Sequence, residues 1–444
     1  MTTDAPRVGD PGFHLRGNFA PVEREVTAHD LPVTGSLPAQ LRGAYLRNGP
    51  NPRRPSDHWF LGDGMVHGVR LDDGRARWYR NRWVRTESFA DPSRSLYDRR
   101  DGSRDLHVSV ANTNVVRHGG RLLALVESSL PYELSAELET LGCHDFDGAL
   151  RDSMTAHPKT CPVTGELHFF GYGSLRAPYV TYHRADASGR ITHEQGIDVP
   201  GLTMMHDFAL TAAHVVFLDL PVVFDLELAL AGAGLPYRWS QTYGARLGVM
   251  RRDDPGAPIR WHAIEPCYVF HVANAFERAG AGGGDELVVH AIRYEHMWRD
   301  GAFDADGAPW EWVLDLGTGA VRERQLDDRA CEMPRIDDRR TGAPSEVFYA
   351  MAPGAIVRYE VATGRRTAHR FADGDEPGEP TFVPAAGSSD ERDGYLITYV
   401  HRRDTDRSDL VVLSAGDLAA EPLASVHVPA RVPNGFHGNW FADA

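Results

Sequence analysis

The sequence has almost no lysine. Lys159 is the single one, so nearly all of the positive charge rests on arginine, and any chemistry needing a lysine has one candidate. Cysteine is scarce as well. Cys143, Cys161, Cys267 and Cys331 stand far apart with no CxxC pair, which argues against a zinc knuckle or a redox pair and gives no disulfide framework. A net charge of −15 leaves no surplus of positive charge for a phosphate-binding face, so no nucleic-acid partner is expected. The first residues, MTTDAPRVGDPGF, lack a basic segment followed by an apolar run, so no secretory signal is read there. The most apolar stretch, HVVFLDLPVVFDLELALAGAGL (His214 to Leu235), is interrupted by Asp219, Pro221, Asp225 and Glu227 and cannot span a bilayer as a simple helix. Together these absences predict a cytoplasmic protein of a reducing compartment.

What is present is globular: 42% apolar residues, with 9 Trp, 15 Tyr and 18 Phe to fill a core. Short runs such as YLRNGP, ARWYRNRWV, ELHFFGYG, YVTYHRA, ELVVHAIRY, AIVRYEV and GYLITYVHR are rich in Val, Leu, Tyr and Phe and bounded by Gly, Asp, Ser or Pro, which is the strand signature. Hairpin punctuation lies between them, at Asp73-Gly74, Gly119-Gly120, Thr164-Gly165, Thr318-Gly319 and Thr363-Gly364 among others. Gly74 to Gly120 is 46 residues, and Gly120 to Gly165 and Gly319 to Gly364 are each 45. That interval suits the blades of a β-propeller; a pair of β-sandwiches is the alternative. The best helical segments, DLELALAGAGL and SAELETLG, read as excursions from the sheets, and GAGGG at 280–284 as a loop between strands. No linker divides the chain, so residues 1–444 are expected to form one domain.

Familiar catalytic spacings are missing. There is no GxxxxGK[ST], no GxSxG and no HExxH, and GDGM at 62–65 precedes a strand pattern, not a helix. The 21 histidines are the chemistry-bearing residues that remain. Most are ordinary surface or strand residues. Four stand among apolar or small neighbours and read as buried: His157 in MTAHPKT, His206 in GLTMMHDFAL, His271 in CYVFHVANAFE and His437 in NGFHGNW. A buried imidazole needs a partner, a hydrogen bond or a metal, at each nitrogen. Intervals of 49, 65 and 166 residues exclude one helix or hairpin as the source. They are natural for a propeller, whose inner strands converge, but spacing alone does not select these four.

The chain resembles the carotenoid cleavage oxygenase family over nearly its whole length. The resemblance runs through LRGAYLRNGPNP, HWFLGDGMVHGVRL, NTNVVRHGGRLLALVE, TAHPKTCPVTGELHFFGY, MMHDFALT, FHVANAFE, GEPTFVP followed by DGYLITYV, and the terminal NGFHGNW. It implies an all-β fold, a seven-bladed β-propeller with a cap of loops and short helices over an axial metal site. It implies a single Fe(2+) held by His157, His206, His271 and His437, with Glu127, Glu332 and Glu379 behind the rings. The implied reaction is cleavage of a C=C bond of a carotenoid or apocarotenoid by O2 into two carbonyl products; a stilbene is the alternative substrate, and isomerisation without oxygen is also found in the family.

Thr113, in ANTN, matches a position close to an open place on the iron, and an ordinary turn residue is its plainer reading. Phe60 and Phe270 are candidates for the wall of an apolar substrate tunnel; core packing is the alternative. Stilbene-cleaving relatives carry a lysine before the glutamate that here is Glu127. In this chain Val126 stands there, which favours the carotenoid substrate. The expected partners are an apolar small molecule and O2, with a monomeric state and a peripheral membrane contact through an apolar lip within the 214–235 stretch; burial in the core is the alternative reading for most of that stretch. Two rival classes are weaker. A calcium-dependent propeller hydrolase needs carboxylate and Asn ligands on the axis, and a WD40-type interaction propeller needs a Trp-Asp signature that the sequence does not contain.

Overall fold

The computed structural model describes residues 12–97, 103–254, 256–280, 283–299 and 303–443. Seven antiparallel sheets make up the seven blades of a β-propeller, and the described helices are short: Glu87–Ala90 and Leu226–Leu230 in α-form and four single 3-10 turns. The strand-like runs quoted above all form strands. Apolar β-branched and aromatic side chains fill both faces of the inner strands, because each sheet is sandwiched between two others. Leu167–Tyr172 is buried throughout, whereas the outer strand Ile191–Ile197 alternates with period two.

The ring is closed by both ends of the chain. The last strand, Gly438–Ala442, pairs with Gly43–Pro50 as the inner strand of the first blade, and Val33–Gly35 pairs with Ala424–His427 at the outside of the seventh. Closure removes the open sheet edges that a linear array would expose. The sandwich alternative is therefore set aside.

Glycine turns mark the blades, though not uniformly. Gly120 and Gly165 occupy the first hairpin of blades two and three, and Gly319 and Gly364 the third hairpin of blades five and six. These two 45-residue intervals are true repeats. Gly74 lies in a third hairpin, so its distance to Gly120 compares unlike positions. All five adopt the positive φ that the tight turn requires.

The two helical readings fared differently. Within DLELALAGAGL, Leu226–Leu230 is a helical turn, capped by Asp225 accepting from the Leu228 N–H at 2.9 Å. SAELETLG is not a helix. Ser135 Oγ accepts from the backbone N–H of Glu137 and Glu139, Leu138 takes a φ of 66°, and Thr140–Cys143 is a strand. The local Ser turn and the pairing with Tyr132–Leu134 override a helical propensity that is only a weak prior. The 280–284 segment joins two strands of blade five, with 281–282 outside the described residues.

Candidate metal centre

The innermost strands of neighbouring blades touch around the axis, and the segments leading into them meet at one end of it. His157 precedes Lys159–Thr160, His206 precedes Phe208–Leu210, and His437 immediately precedes Gly438–Ala442. His271 lies within Tyr268–Ala279, where the ladder register shifts between Val269 and Val272. Such an irregularity re-aims a side chain that regular pleating would send elsewhere.

Residues far apart in sequence thus become neighbours. One donor atom from each of His157, His206 and His271 falls within 4.8 Å of the others. Nε2 of His157 is 3.0 Å from Nε2 of His206, and Nε2 of His271 is 3.2 Å from Nε2 of His437. All four side chains are buried.

Three of the rings are backed by carboxylates. Nδ1 of His271 donates to Glu332 at 2.6 Å and Nδ1 of His437 donates to Glu379 at 2.9 Å. Glu127 lies close against Nδ1 of His206, though off the line of a hydrogen bond. Each carboxylate is itself held from behind. Tyr172 donates to Glu127, Tyr294 donates to Glu332 at 2.9 Å, and Glu379 accepts from Gly438 N–H at 2.7 Å beside Arg335 at 3.3 Å.

The electrostatics follow. Burial would raise the Glu379 carboxyl, but Arg335 and His437 hold it down to about 2. Burial works against charge on His271, yet Glu332 outweighs it and raises that imidazole above its ordinary value. His157 has no such carboxylate among the described residues; burial and the three other histidines push it well below.

This donor set fits a cation. When Nδ1–H points at a carboxylate, Nε2 carries the lone pair, and lone pairs about 3 Å apart repel unless something positive lies between them. Neutral imidazoles with carboxylates behind them suit a divalent transition metal, which would be held by His157, His206, His271 and His437.

Other groups hold the frame. Lys159 pairs with Asp207 Oδ1 at 2.8 Å while Asp207 Oδ2 accepts from Val272 N–H at 2.8 Å, tying together the segments that carry three of the histidines. Asp207, Arg335, Tyr172 and Tyr294 were not singled out from the sequence, where nothing but adjacency to a histidine marked even Asp207. The carbonyl of Thr113 accepts from His437 N–H at 3.1 Å, and its hydroxyl donates to Asn112 Oδ1 at 2.9 Å.

A cavity of about 790 Å³ opens on His206, His271 and His437, with Thr113, Val126 and Glu127 in its wall; His157 is set behind it. Phe60 and Phe270 both line it. Phe270 meets the His206 ring edge to face at 5.0 Å, and Phe60 packs on Phe270, Phe303 and Phe436. Asn112 donates to the carbonyls of Phe60 and Gly62, linking the Thr113 segment to this aromatic wall. Leu61, Phe224 and Leu235 also line the cavity, and next to them Leu226 and Leu230 are 61% and 80% exposed.

Comparisons with known proteins agree with this architecture. The family model described as retinal pigment epithelial membrane protein matches residues 19–442. A carotenoid cleavage oxygenase of Mycobacterium tuberculosis is 40% identical, the match covering 96% of this chain and 97% of that protein. A carotenoid 9,10(9',10')-cleavage dioxygenase of Crocus sativus is 34% identical (96% and 88%), and an isoeugenol monooxygenase of Pseudomonas nitroreducens 31% (96% and 97%). Among solved structures, lignostilbene dioxygenase of Pseudomonas brassicacearum superposes with a TM-score of 0.86 at 29% identity, covering 97% and 98% of the two chains. A cobalt-substituted Synechocystis ACO superposes with 0.85 at 28%, covering 95% and 97%. With a propeller closed by its own last strand and four histidines gathered on its axis, this chain belongs to the carotenoid cleavage oxygenase family.

Proposed function

We propose that the protein is a non-haem Fe(2+) dioxygenase that cleaves a C=C bond of a carotenoid or apocarotenoid with O2 to give two carbonyl products. The observation that carries the reading is the convergence of four Nε2 atoms beside a large apolar cavity. Bound iron supplies the spin and redox chemistry that lets O2 react with a closed-shell alkene. The chain's own residues do the rest. His157, His206, His271 and His437 hold the metal, and Glu127, Glu332 and Glu379 fix the rings and offset the charge in a poorly solvated place. Phe60 and Phe270 would align the polyene and exclude water, and Thr113, in the cavity wall, would lie close to an open position on the iron.

Val126 supports an apolar substrate over a phenol. The single lysine faces Asp207 and lies outside the cavity wall. Of the tyrosines in the cavity wall, Tyr172, Tyr97 and Tyr294 are committed to Glu127, the Gly173 carbonyl and Glu332, while the Tyr399 hydroxyl has no partner among the described residues. A stilbene is the second reading, favoured by the likeness to the lignostilbene and isoeugenol enzymes. Among the described residues no helix is long and apolar enough to cross a membrane. Leu226 and Leu230, exposed beside the cavity, would dock on a membrane surface and collect a lipid-soluble substrate. Closure of the ring by both chain ends supports reading residues 1–444 as one catalytic domain, and the same proposal takes it to act as a cytoplasmic monomer.

Protein purified without oxygen and loaded with Fe(2+) is offered a β-apocarotenal and resveratrol in separate assays of O2 uptake and carbonyl products. Cleavage of the apocarotenal alone is expected. Cleavage of resveratrol alone would transfer the assignment to the second reading, and inertness toward both despite bound iron would remove both substrates.

A further inference from the structure

The cavity has a second polar feature that the reaction does not use. Arg47 stands on strand Gly43–Pro50, where its Cα pairs across the ladder with Gly438, the residue after His437. The neighbouring Asn48 turns toward blade two, donating to the carbonyls of Ala111 and Asn114. Because side chains alternate along a strand, Arg47 turns the other way, toward blade seven, with its guanidinium 5.8 Å from the centre of the Tyr399 ring. Both residues line the cavity, and each is only 4% exposed.

Their polar atoms are incompletely used. Arg47 donates from Nη2 to the Pro433 carbonyl, while its Nε and the hydroxyl of Tyr399 have no partner among the described residues and are closed off from solvent behind the cavity surface. Glycine at 435 is needed to seat the guanidinium, since a Cβ there would fall 2.5 Å from Nη1. No described carboxylate forms an ion pair with Arg47. Glu379 is taken by Arg335 and His437, and Glu376, on the same cavity wall, accepts from Asn434. A buried guanidinium without a counter-charge is costly, and its forked donors match a carboxylate.

We propose that Arg47 and Tyr399 form a subsite that binds the carboxylate end of a substrate, so that the enzyme prefers polyene acids to the corresponding alcohols. The subsite rests on reading the cavity as the substrate chamber.

Iron-loaded enzyme is titrated calorimetrically with decanoate and with 1-decanol, neither of which has a C=C bond to cleave. Decanoate should bind about ten-fold tighter than the alcohol, as expected for hydrogen bonds to a charged group. Arg47→Gln should abolish that preference. Tyr399→Phe, which removes a hydroxyl with no partner in the fold, should reduce it several-fold even if the arginine variant fails to fold. Alcohol binding and iron content should stay as in the parent. Equal binding of acid and alcohol by the parent would overturn the proposal. So would a preference that survives in the folded variants, which would place the carboxylate on the metal. Turnover of a β-apocarotenal by the same preparations reads the oxygenase assignment separately. Turnover without an acid preference sinks only the subsite, whereas an Arg47-dependent preference without turnover sinks only the oxygenase reading.

Discussion

Glu379 grips the end of the chain with both oxygens: one accepts from Nδ1 of His437 at 2.9 Å, the other from the backbone N–H of Gly438 at 2.7 Å. A single buried carboxylate thereby sets both the ring and the backbone at the point where the last strand enters the first blade.

Removing the residues after Pro433 should therefore cost the metal as well as a strand. The truncated protein is expected to purify with almost no iron, and His437→Ala to lose most of it while keeping the β-rich circular dichroism spectrum. Metal analysis per protein chain checks both; stoichiometric iron in either variant would contradict the ligand assignment.

Glu379 also makes a pH-dependent contribution to stability. Its folded-state pKa is held at about 2, below the ordinary 4.5, so its contribution is complete above pH 4.5 and disappears as the pH falls toward 2. In metal-free protein the stability advantage over Glu379→Gln should be of order ~3 kcal/mol at neutral pH and shrink across that acid window. Urea midpoints measured at several pH values test this, and an advantage independent of pH would refute it.

The carboxylates behind the rings should matter to the metal without touching it. Glu332→Gln is expected to weaken iron binding about 10–100-fold, because a neutral amide no longer raises the basicity of His271 or offsets the charge of the metal. Competition with a chelator gives the number directly.

Phe270 and Phe60 should separate in their effects. Phe270→Ala removes a buried ring packed on His206, Tyr268 and Tyr294, and should cost about 3 kcal/mol of stability. Phe60 is half-buried, so Phe60→Ala should leave the melting temperature nearly unchanged while raising KM for the polyene. A lower kcat with unchanged KM would argue against its role in holding substrate.

Thr113→Ala should retain iron, because the backbone carbonyl, not the side chain, holds His437 in place. Among the described residues its hydroxyl hydrogen-bonds to Asn112 alone, so the expected change is in kcat and in the dependence on O2. Loss of iron would show that the side chain is structural.

Much of this protein is written locally. Alternating and continuous apolar runs specify the strands, and glycine at positive φ specifies hairpins such as those at Gly120 and Gly165, because both depend on neighbours within a few residues. The sequence likewise marks His157, His206, His271 and His437 as buried, from the apolar company each keeps, and resemblance to a family picks these four from 21. Local pattern failed at Ser135–Gly142, where a serine turn and strand pairing overrode a helical composition. It was silent on Asp207, Arg335, Tyr172 and Tyr294, which hold the frame, and on Arg47 beside Tyr399. Those relationships span up to hundreds of residues and exist only because ring closure brings the entries of separate inner strands to one point. Hydrophobic period and turn chemistry are properties of a short segment; the pairing of a buried charge with its partner is a property of the closed ring, and only the tertiary structure decides it.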